Sequence, residues 1–252
     1  MFKKILISAP TASAKYYCFE DWIDNVMMLN YPDYEVRLFD NTMDDGESAN
    51  KQNQYFQSKY GKNNTQFSAI KSATNSDMGL IERMCISTNE CREYALNNDF
   101  THLLMLESDI FPPSNVIEEL LYHKKKVIGA IYYLDGGSNR RIMLQQLVFR
   151  SGTDVVSDNA TSRHDAIFCD GTIKTASHIG LGCILISREV LKKIKFRYEK
   201  WELTQGVGLH PDVYFAQDCH RSGYKIWAHT GLICEHRNKS WDLEVYRKGL
   251  KI

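Results

Sequence analysis

His102-Leu103-Leu104-Met105-Leu106-Glu107-Ser108-Asp109-Ile110-Phe111-Pro112-Pro113, or HLLMLESDIFPP over 102–113, runs apolar through 103–106 and then sets two carboxylates one residue apart before a proline pair. A strand covered on both faces reads as a continuous apolar run, so Glu107 and Asp109 stand where such a strand stops being buried. In an open α/β sheet the carboxyl ends of the strands border the ligand crevice. Two readings stay open: acids placed for chemistry, or Asp and Ser in an ordinary strand-ending turn.

Outward from this stretch, strand and helix patterns alternate. Strands are predicted over 4–8 and over 34–39, the second ending at Asp40-Asn41, with an amphipathic helix over 19–29 between them. The polar stretch 42–64 reads as one helix and a mobile loop. A helix over 77–96 follows, behind a Ser76 or Asp77 cap. Past HLLML come a helix over 115–122 and a strand over 127–133. Such alternation predicts an α/β fold with a mostly parallel central sheet flanked by helices. From Asp135 the texture changes to a loop over 136–141, a strand over 144–149 and a polar excursion over 154–165. Order returns with a strand over 183–187, helices over 188–193 and 212–222, and short strands over 225–229 and 232–234. No internal repeat or Pro- or Ser-rich linker interrupts the chain, so a single domain over 1–252 is expected.

The 252 residues suffice for one large α/β domain or two small ones. Lys plus Arg number 31 and Asp plus Glu number 31, so no global field recruits nucleic acid or an anionic membrane. The start MFKKILIS is basic, but its apolar stretch is shorter than a secretory core. No apolar run approaches the ~20 residues that span a bilayer, and the expectation is a soluble, cytoplasmic protein. The 7 cysteines are scattered without a CxxC pair, which argues against a disulfide framework or zinc ribbon and for a reducing compartment.

The first glycine is Gly46, so the turn Ala9-Pro10-Thr11-Ala12-Ser13-Ala14 after the first strand is no phosphate-cradling loop. Dinucleotide and P-loop motifs need glycines there to let backbone N–H groups approach phosphate. If the fold takes a nucleotide, a divalent cation held by carboxylates is the usual alternative for the diphosphate.

Several motifs in order resemble those of glycosyltransferases of GT-A fold, particularly the compact bacterial and viral members grouped with family 2. A helix with Asn89, Arg92 and Ala95 is similar to the family's Arg-Asn helix, although Thr88 stands where an arginine is frequent. LLMLESDIFPP resembles the strand ending in Asp-x-Asp, and Val127-Ile128-Gly129-Ala130-Ile131-Tyr132-Tyr133 the strand after it. The stretch from Gly180 through Gly182 to Arg188 resembles the glycine turn and strand beneath an acceptor. Pro211-Asp212-Val213-Tyr214-Phe215, Gly223-Tyr224-Lys225-Ile226-Trp227 and His236 resemble the Glu-Asp helix, the Gly-Tyr strand and the late metal-binding histidine. Two departures stand out: Glu107 replaces the first Asp of the acidic motif, and Pro211 replaces the Glu before Asp212.

The resemblance implies a metal-dependent transferase moving a hexose or pentose from a UDP- or GDP-linked sugar to an acceptor hydroxyl, with inversion. It implies donor contacts from Ala9, Pro10, Thr11, Asp40, Asn89, Glu107, Ser108 and Asp109 within a donor half, 1–134. Acceptor contacts from Gly180, Gly182 and Trp201, and catalysis by Asp212, fall in a second half, 135–252. Asp109, His236 and Glu107 would hold Mn²⁺ or Mg²⁺ as a Lewis acid on the leaving diphosphate. Asp212 would take the acceptor's proton.

Plainer readings accompany these. Asp212 also suits a helix cap, and Asp40-Asn41 suits ordinary turn chemistry. His236 could sit in a terminal loop, and Gly180 and Gly182 could serve packing alone. Trp201, Trp227 and Trp241 suit core or sugar stacking equally. His178, His210, His220 and His229 match no motif. Two rivals remain: a sugar nucleotidyltransferase, and a non-catalytic relative that only binds nucleotide sugar, for which Glu107 and Pro211 speak.

Overall fold

The computed structural model describes residues 3–133, 144–150, 154–158, 169–199 and 211–239. The loop at 136–141, residues 159–165, Trp201, His210 and Trp241 lie outside the described residues. In chain order the first elements are β1 (Ile5–Thr11), a 3-10 turn (Ser13–Lys15), α1 (Tyr16–Met27), β2 (Tyr34–Asp40), α2 (Glu47–Tyr60), β3 (Phe67–Lys71), α3 (Leu80–Asn97) and β4 (His102–Leu106). Then come β5 (Ile110–Phe111), α4 (Val116–Tyr122), β6 (Val127–Tyr132), β7 (Leu144–Arg150) and β8 (Asp154–Asp158). The last are β9 (Ile173–Ala176), β10 (His178–Ile179), β11 (Cys183–Ser187), α5 (Arg188–Lys193), α6 (Pro211–Arg221) and β12 (Ile226–His236).

The main sheet has the order β3-β2-β1-β4-β11-β6-β12-β5, with β9 added alongside β12. Strands β1, β2, β3, β4, β6 and β12 run one way, and β11, β5 and β9 run against them. This is the α/β fold with a mostly parallel sheet that the alternating pattern predicts. A second, antiparallel sheet takes the order β10-β7-β8. Leu103, Leu104, Met105 and Leu106 are fully buried, each contributing about 1.5–3 kcal/mol of transfer free energy. That burial anchors the acidic turn at the end of β4. Helix α1 buries Cys18, Phe19, Trp22, Ile23 and Val26, one apolar face at helical spacing. Among the described residues no helix is long and apolar enough to cross a membrane.

The structure departs from the predicted elements in physically readable ways. β1 runs on past residue 8 to Thr11, pairing with β2 as far as Thr11↔Asp40, whereas its register with β4 stops at Ser8↔Met105. Pro10 therefore lacks an N–H only where no β4 partner faces it. The edge strand β3, half-buried, has too little apolar content to announce itself. The polar helix α2 is held by a narrow buried stripe of Ser48, Ala49, Gln52 and Phe56. The two expected short strands after 225 are one strand, β12, with a register shift between His229 and Ile233. Short β5, β9 and β10 carry no periodicity that a sequence can show, and β8 falls within the expected excursion.

Candidate active site

At the carboxyl ends of β1 and β4 lies a cavity of about 450 Å³. Pro10 and Thr11 border it from β1, Ala12, Ala14 and Lys15 from the following turn, and Glu107 and Ser108 from the end of β4. Leu80, Met84 and Thr88 of α3 form another wall, with Tyr132, Leu181, Pro211, Asp212 and His236 closing the rest. Asn41 lines it beside β1.

The acidic turn is tied from three sides. Glu107 N–H donates to the Gly182 carbonyl at 3.0 Å, and Arg237 N–H donates to the Asp109 carbonyl at 2.9 Å. Thr11 Oγ1 and Ser108 Oγ share a hydrogen bond of 3.0 Å, and Cys18 Sγ donates to the Ser108 carbonyl at 3.3 Å. Asp109 is only 1% exposed. Its Oδ2 takes an ion pair from the Lys15 ammonium and lies 3.5 Å from His236 Nε2, while its Oδ1 has no hydrogen-bond partner among the described residues.

His236 ends β12 rather than sitting in a loop. Its Nδ1–H donates to the Tyr133 carbonyl at 2.7 Å, because a carbonyl can only accept, and the ring packs edge-on against Tyr132. Burial pushes its pKa below the ordinary value, the Tyr133 bond and the Glu107 charge opposing. The ring is then neutral near pH 7, with Nε2 as its lone-pair nitrogen on the Asp109 side. Tyr132 is pushed well above the ordinary phenol range by burial, then by the charges of Glu107 and Asp212. It stays protonated, and its oxygen accepts the Gly182 N–H at 3.2 Å.

The chemistry of this donor set fits a divalent cation: a buried carboxylate with an unpartnered oxygen, beside an imidazole whose far nitrogen is oriented by a backbone carbonyl. Two protein ligands would leave the remaining positions to diphosphate oxygens and water. Glu107, expected as a third ligand, borders the cavity, but no three His, Cys, Asp or Glu side chains converge as a metal-holding group among the described residues. The ammonium of Lys15 stands on the carboxylate that a cation would use.

Asp212, also on the cavity's lining, is the second residue of α6, behind Pro211, whose missing N–H costs nothing at a helix start. Its Oδ1 accepts the Val213 N–H at 2.8 Å, and its Oδ2 lies 3.1 Å from His178 Nε2.

Other expected contacts are placed elsewhere. Asp40 is fully buried and its carboxylate is saturated: Oδ1 accepts from Thr42 N–H at 2.8 Å and Thr42 Oγ1 at 2.5 Å, and Oδ2 accepts from Ser48 Oγ and from Gln52 Nε2 at 2.7 Å. A carboxylate so bonded has no lone pair left for a base, and its neighbour Asn41 meets the cavity instead. Asn89 clamps the Phe196 backbone, donating to its carbonyl at 2.8 Å and accepting its N–H at 3.1 Å. Ala9 is buried in the sheet and Gly180 is buried too, and neither borders the cavity. A Cβ on Gly182 would meet the Tyr132 ring at 2.6 Å, so the close approach of that ring requires glycine here. Lys15, Asn41, Tyr132 and His178 were not expected in the site. A lone cation in a glycine-free turn was the signal for Lys15; His178 left none.

No family model matches this chain, and no curated protein does. Solved structures with a similar fold include GalNAc-T7 with UDP, GalNAc and Mn²⁺, at TM-score 0.57 and 11% identity over 95% of this chain and 44% of that one. S. aureus TarS gives 0.49 at 15% identity over 94% of this chain and 36% of that one. A197 from STIV gives 0.47 at 14% over 94% and 86%. The chain thus spans less than half the length of the GalNAc-T7 and TarS chains. The likeness to GalNAc-T7 is one of fold alone: a mostly parallel sheet flanked by helices, of the GT-A-like kind.

Proposed function

We propose that the chain is a metal-dependent glycosyltransferase, nearest in motif order to the compact family 2 members, that moves a hexose or pentose from a UDP- or GDP-linked sugar to an acceptor hydroxyl with inversion. The observation that carries this reading is one cavity bordered by two kinds of charged group: Lys15 and His236, both beside buried Asp109, and Asp212. A nucleotide sugar needs the first set for its diphosphate, and an acceptor hydroxyl needs the second for its proton. GalNAc-T7, of the same fold, is seen with UDP, GalNAc and Mn²⁺, which supports the donor class and the metal.

Mn²⁺ or Mg²⁺ held by Asp109 and His236 would supply Lewis-acid stabilisation of the leaving group. The chain's own residues do the remainder. Asp212 accepts the proton of the acceptor O–H while that oxygen bonds to the anomeric carbon. The anomeric bond to the diphosphate breaks on the opposite face, its electron pair leaving with the phosphate. Lys15, 36% exposed in its side chain, can turn from Asp109 to the diphosphate once a cation takes the carboxylate. Apolar Leu80, Met84, Met105 and Leu181 keep water from competing with the acceptor. Residues 1–134 then serve the donor, and 135–252 the acceptor, in one domain. Seven free cysteines support a cytoplasmic setting.

Calorimetric titration with nucleoside diphosphates, with and without Mn²⁺, tests the reading. UDP or GDP should bind with Mn²⁺ and lose that metal-dependent affinity in Asp109→Ala. Undiminished affinity in chelator would remove the metal from the proposal. Donor held but never consumed, with a panel of hydroxyl acceptors supplied, would leave only the non-catalytic relative.

A further inference from the structure

We infer that His178 is a positioning residue for Asp212, a role that rests on reading Asp212 as the base. His178 lies on β10, paired to β7 with His178 opposite Gln145, while Asp212 lies on α6. Two separate elements thus meet through side chains that are 8% and 12% exposed, with Nε2 3.1 Å from Oδ2. Asp212 borders the cavity and His178 does not, so the imidazole stands behind the carboxylate and acts only through it. Helix α6 also holds the residue just ahead of β10: His220 Nε2–H donates to the Ser177 carbonyl at 2.8 Å. The residue before His178 is therefore held by the helix that carries Asp212.

The alignment of the pair is informative. Oδ1 of Asp212 is fixed by the Val213 N–H, but His178 Nε2, although 3.1 Å from Oδ2, has no aligned hydrogen-bond partner among the described residues. A buried polar nitrogen left in that state is unfavourable. Acid-base pairs are often misaligned without substrate and tighten in the complex. An acceptor hydroxyl donating to Asp212 would rotate the carboxylate until Oδ2 meets Nε2–H in line. His178 then fixes the carboxylate in the geometry that receives the acceptor's proton, and itself neither gains nor loses one. The departure from the family motif gives this a purpose, because Pro211 leaves Asp212 without a neighbouring acid in the chain.

Two measurements on the full chain test this. Long-range ¹H–¹⁵N spectra of the imidazoles should show His178 protonated at Nε2, with a shift that moves in Asp212→Asn. Hydrolysis of UDP-glucose, UDP-GalNAc and GDP-mannose, with water as acceptor, gives the kinetic arm. His178→Leu should lower kcat roughly 10- to 100-fold at unchanged KM, the range expected for a misplaced reacting group. His178→Gln, whose amide offers an N–H at similar reach, should recover most of it. In the Asp212→Asn background His178→Leu should change nothing further. A lone pair at His178 Nε2, an unchanged rate in His178→Leu, or an equal loss in the Asp212→Asn background would overturn the inference. If Asp212→Asn itself turns over normally, the base reading fails instead. Should no donor turn over, a His178 resonance that Asp212→Asn leaves unmoved would overturn the inference, and one that moves would support it.

Discussion

Lys15→Met keeps the side-chain stem and removes its charge, so its consequence can be worked through from Asp109. That carboxylate is 1% exposed, with one oxygen on Lys15 and the other without a hydrogen-bond partner among the described residues. Breaking a fully buried pair costs about 3–5 kcal/mol. Lys15 is 36% exposed, so water reaches Asp109 when the ammonium goes, and the loss falls to about 1–3 kcal/mol. At roughly 2–4 °C per kcal/mol for a chain of this size, Tm should drop on the order of 5 °C. The uncompensated carboxylate is also a better cation site. Mn²⁺ at a hundred times its Kd adds about 2.7 kcal/mol, which would return most of the loss in the variant. In the wild type the ammonium competes for the same oxygen, so Mn²⁺ alone should raise Tm much less. Scanning calorimetry with Mn²⁺ or chelator, on wild type, Lys15→Met and Lys15→Met with Asp109→Asn, separates these terms. The double variant should regain stability and lose its response to Mn²⁺. Equal Tm and equal response to Mn²⁺ in wild type and Lys15→Met would refute the competition, and a double variant still shifted by Mn²⁺ would remove Asp109 from the metal site.

Asp212→Asn should cut turnover by about 10²- to 10⁴-fold with donor affinity nearly intact, whereas a helix cap alone predicts almost no change, since Asn caps as well; initial rates, Tm and the anomeric coupling of the product decide. His102, half-buried at the start of β4, has its pKa lowered to about 4, first by burial and then by Lys3. Below the ordinary value near 6.5 the unfolded chain takes up a proton that the folded chain refuses, so stability declines from there down to about pH 4. Between pH 7 and 5 that amounts to about 2 kcal/mol, read by urea melts and abolished in His102→Gln. Gly182→Ala should cost about 1–3 kcal/mol by pressing on the Tyr132 ring, and a neutral effect on Tm would show that the ring can yield.

How much of this was legible before the fold was known depends on what kind of neighbour each residue has. Continuous apolar runs gave β4 and β6 nearly to the residue, because burial on both faces leaves one-dimensional signatures. The positions of Glu107, Ser108, Asp212 and His236 around one cavity follow from strand ends and a helix start, which sequence marks. Spacing does not show where Asp40 points, because strand-end acids look alike whether they face a cavity or, as here, are bonded by Ser48 and Gln52 from the next helix. The amide of Asn89 is bonded to the backbone of Phe196, more than a hundred residues on. Partners at such separation cannot be read from spacing.

The same limit governs the reading of Pro211. Along the chain it looks like a loss, one carboxylate fewer beside Asp212. In space, proline at the first helical position needs no N–H and presents Asp212 on the next residue to the cavity. If Asp212 is the base, a second acid beside it is one way to hold an acceptor hydroxyl in place, and fixing its own carboxylate rigidly is another. The structure places a buried imidazole beside Oδ2, on a strand whose preceding residue, Ser177, is bonded to the same helix. If that is how Asp212 works, mutating the chain neighbour should matter less than mutating the neighbour in space. Pro211→Ala should leave kcat within a few-fold of wild type while His178→Leu lowers it, and the reverse ranking would return the explanation to the motif.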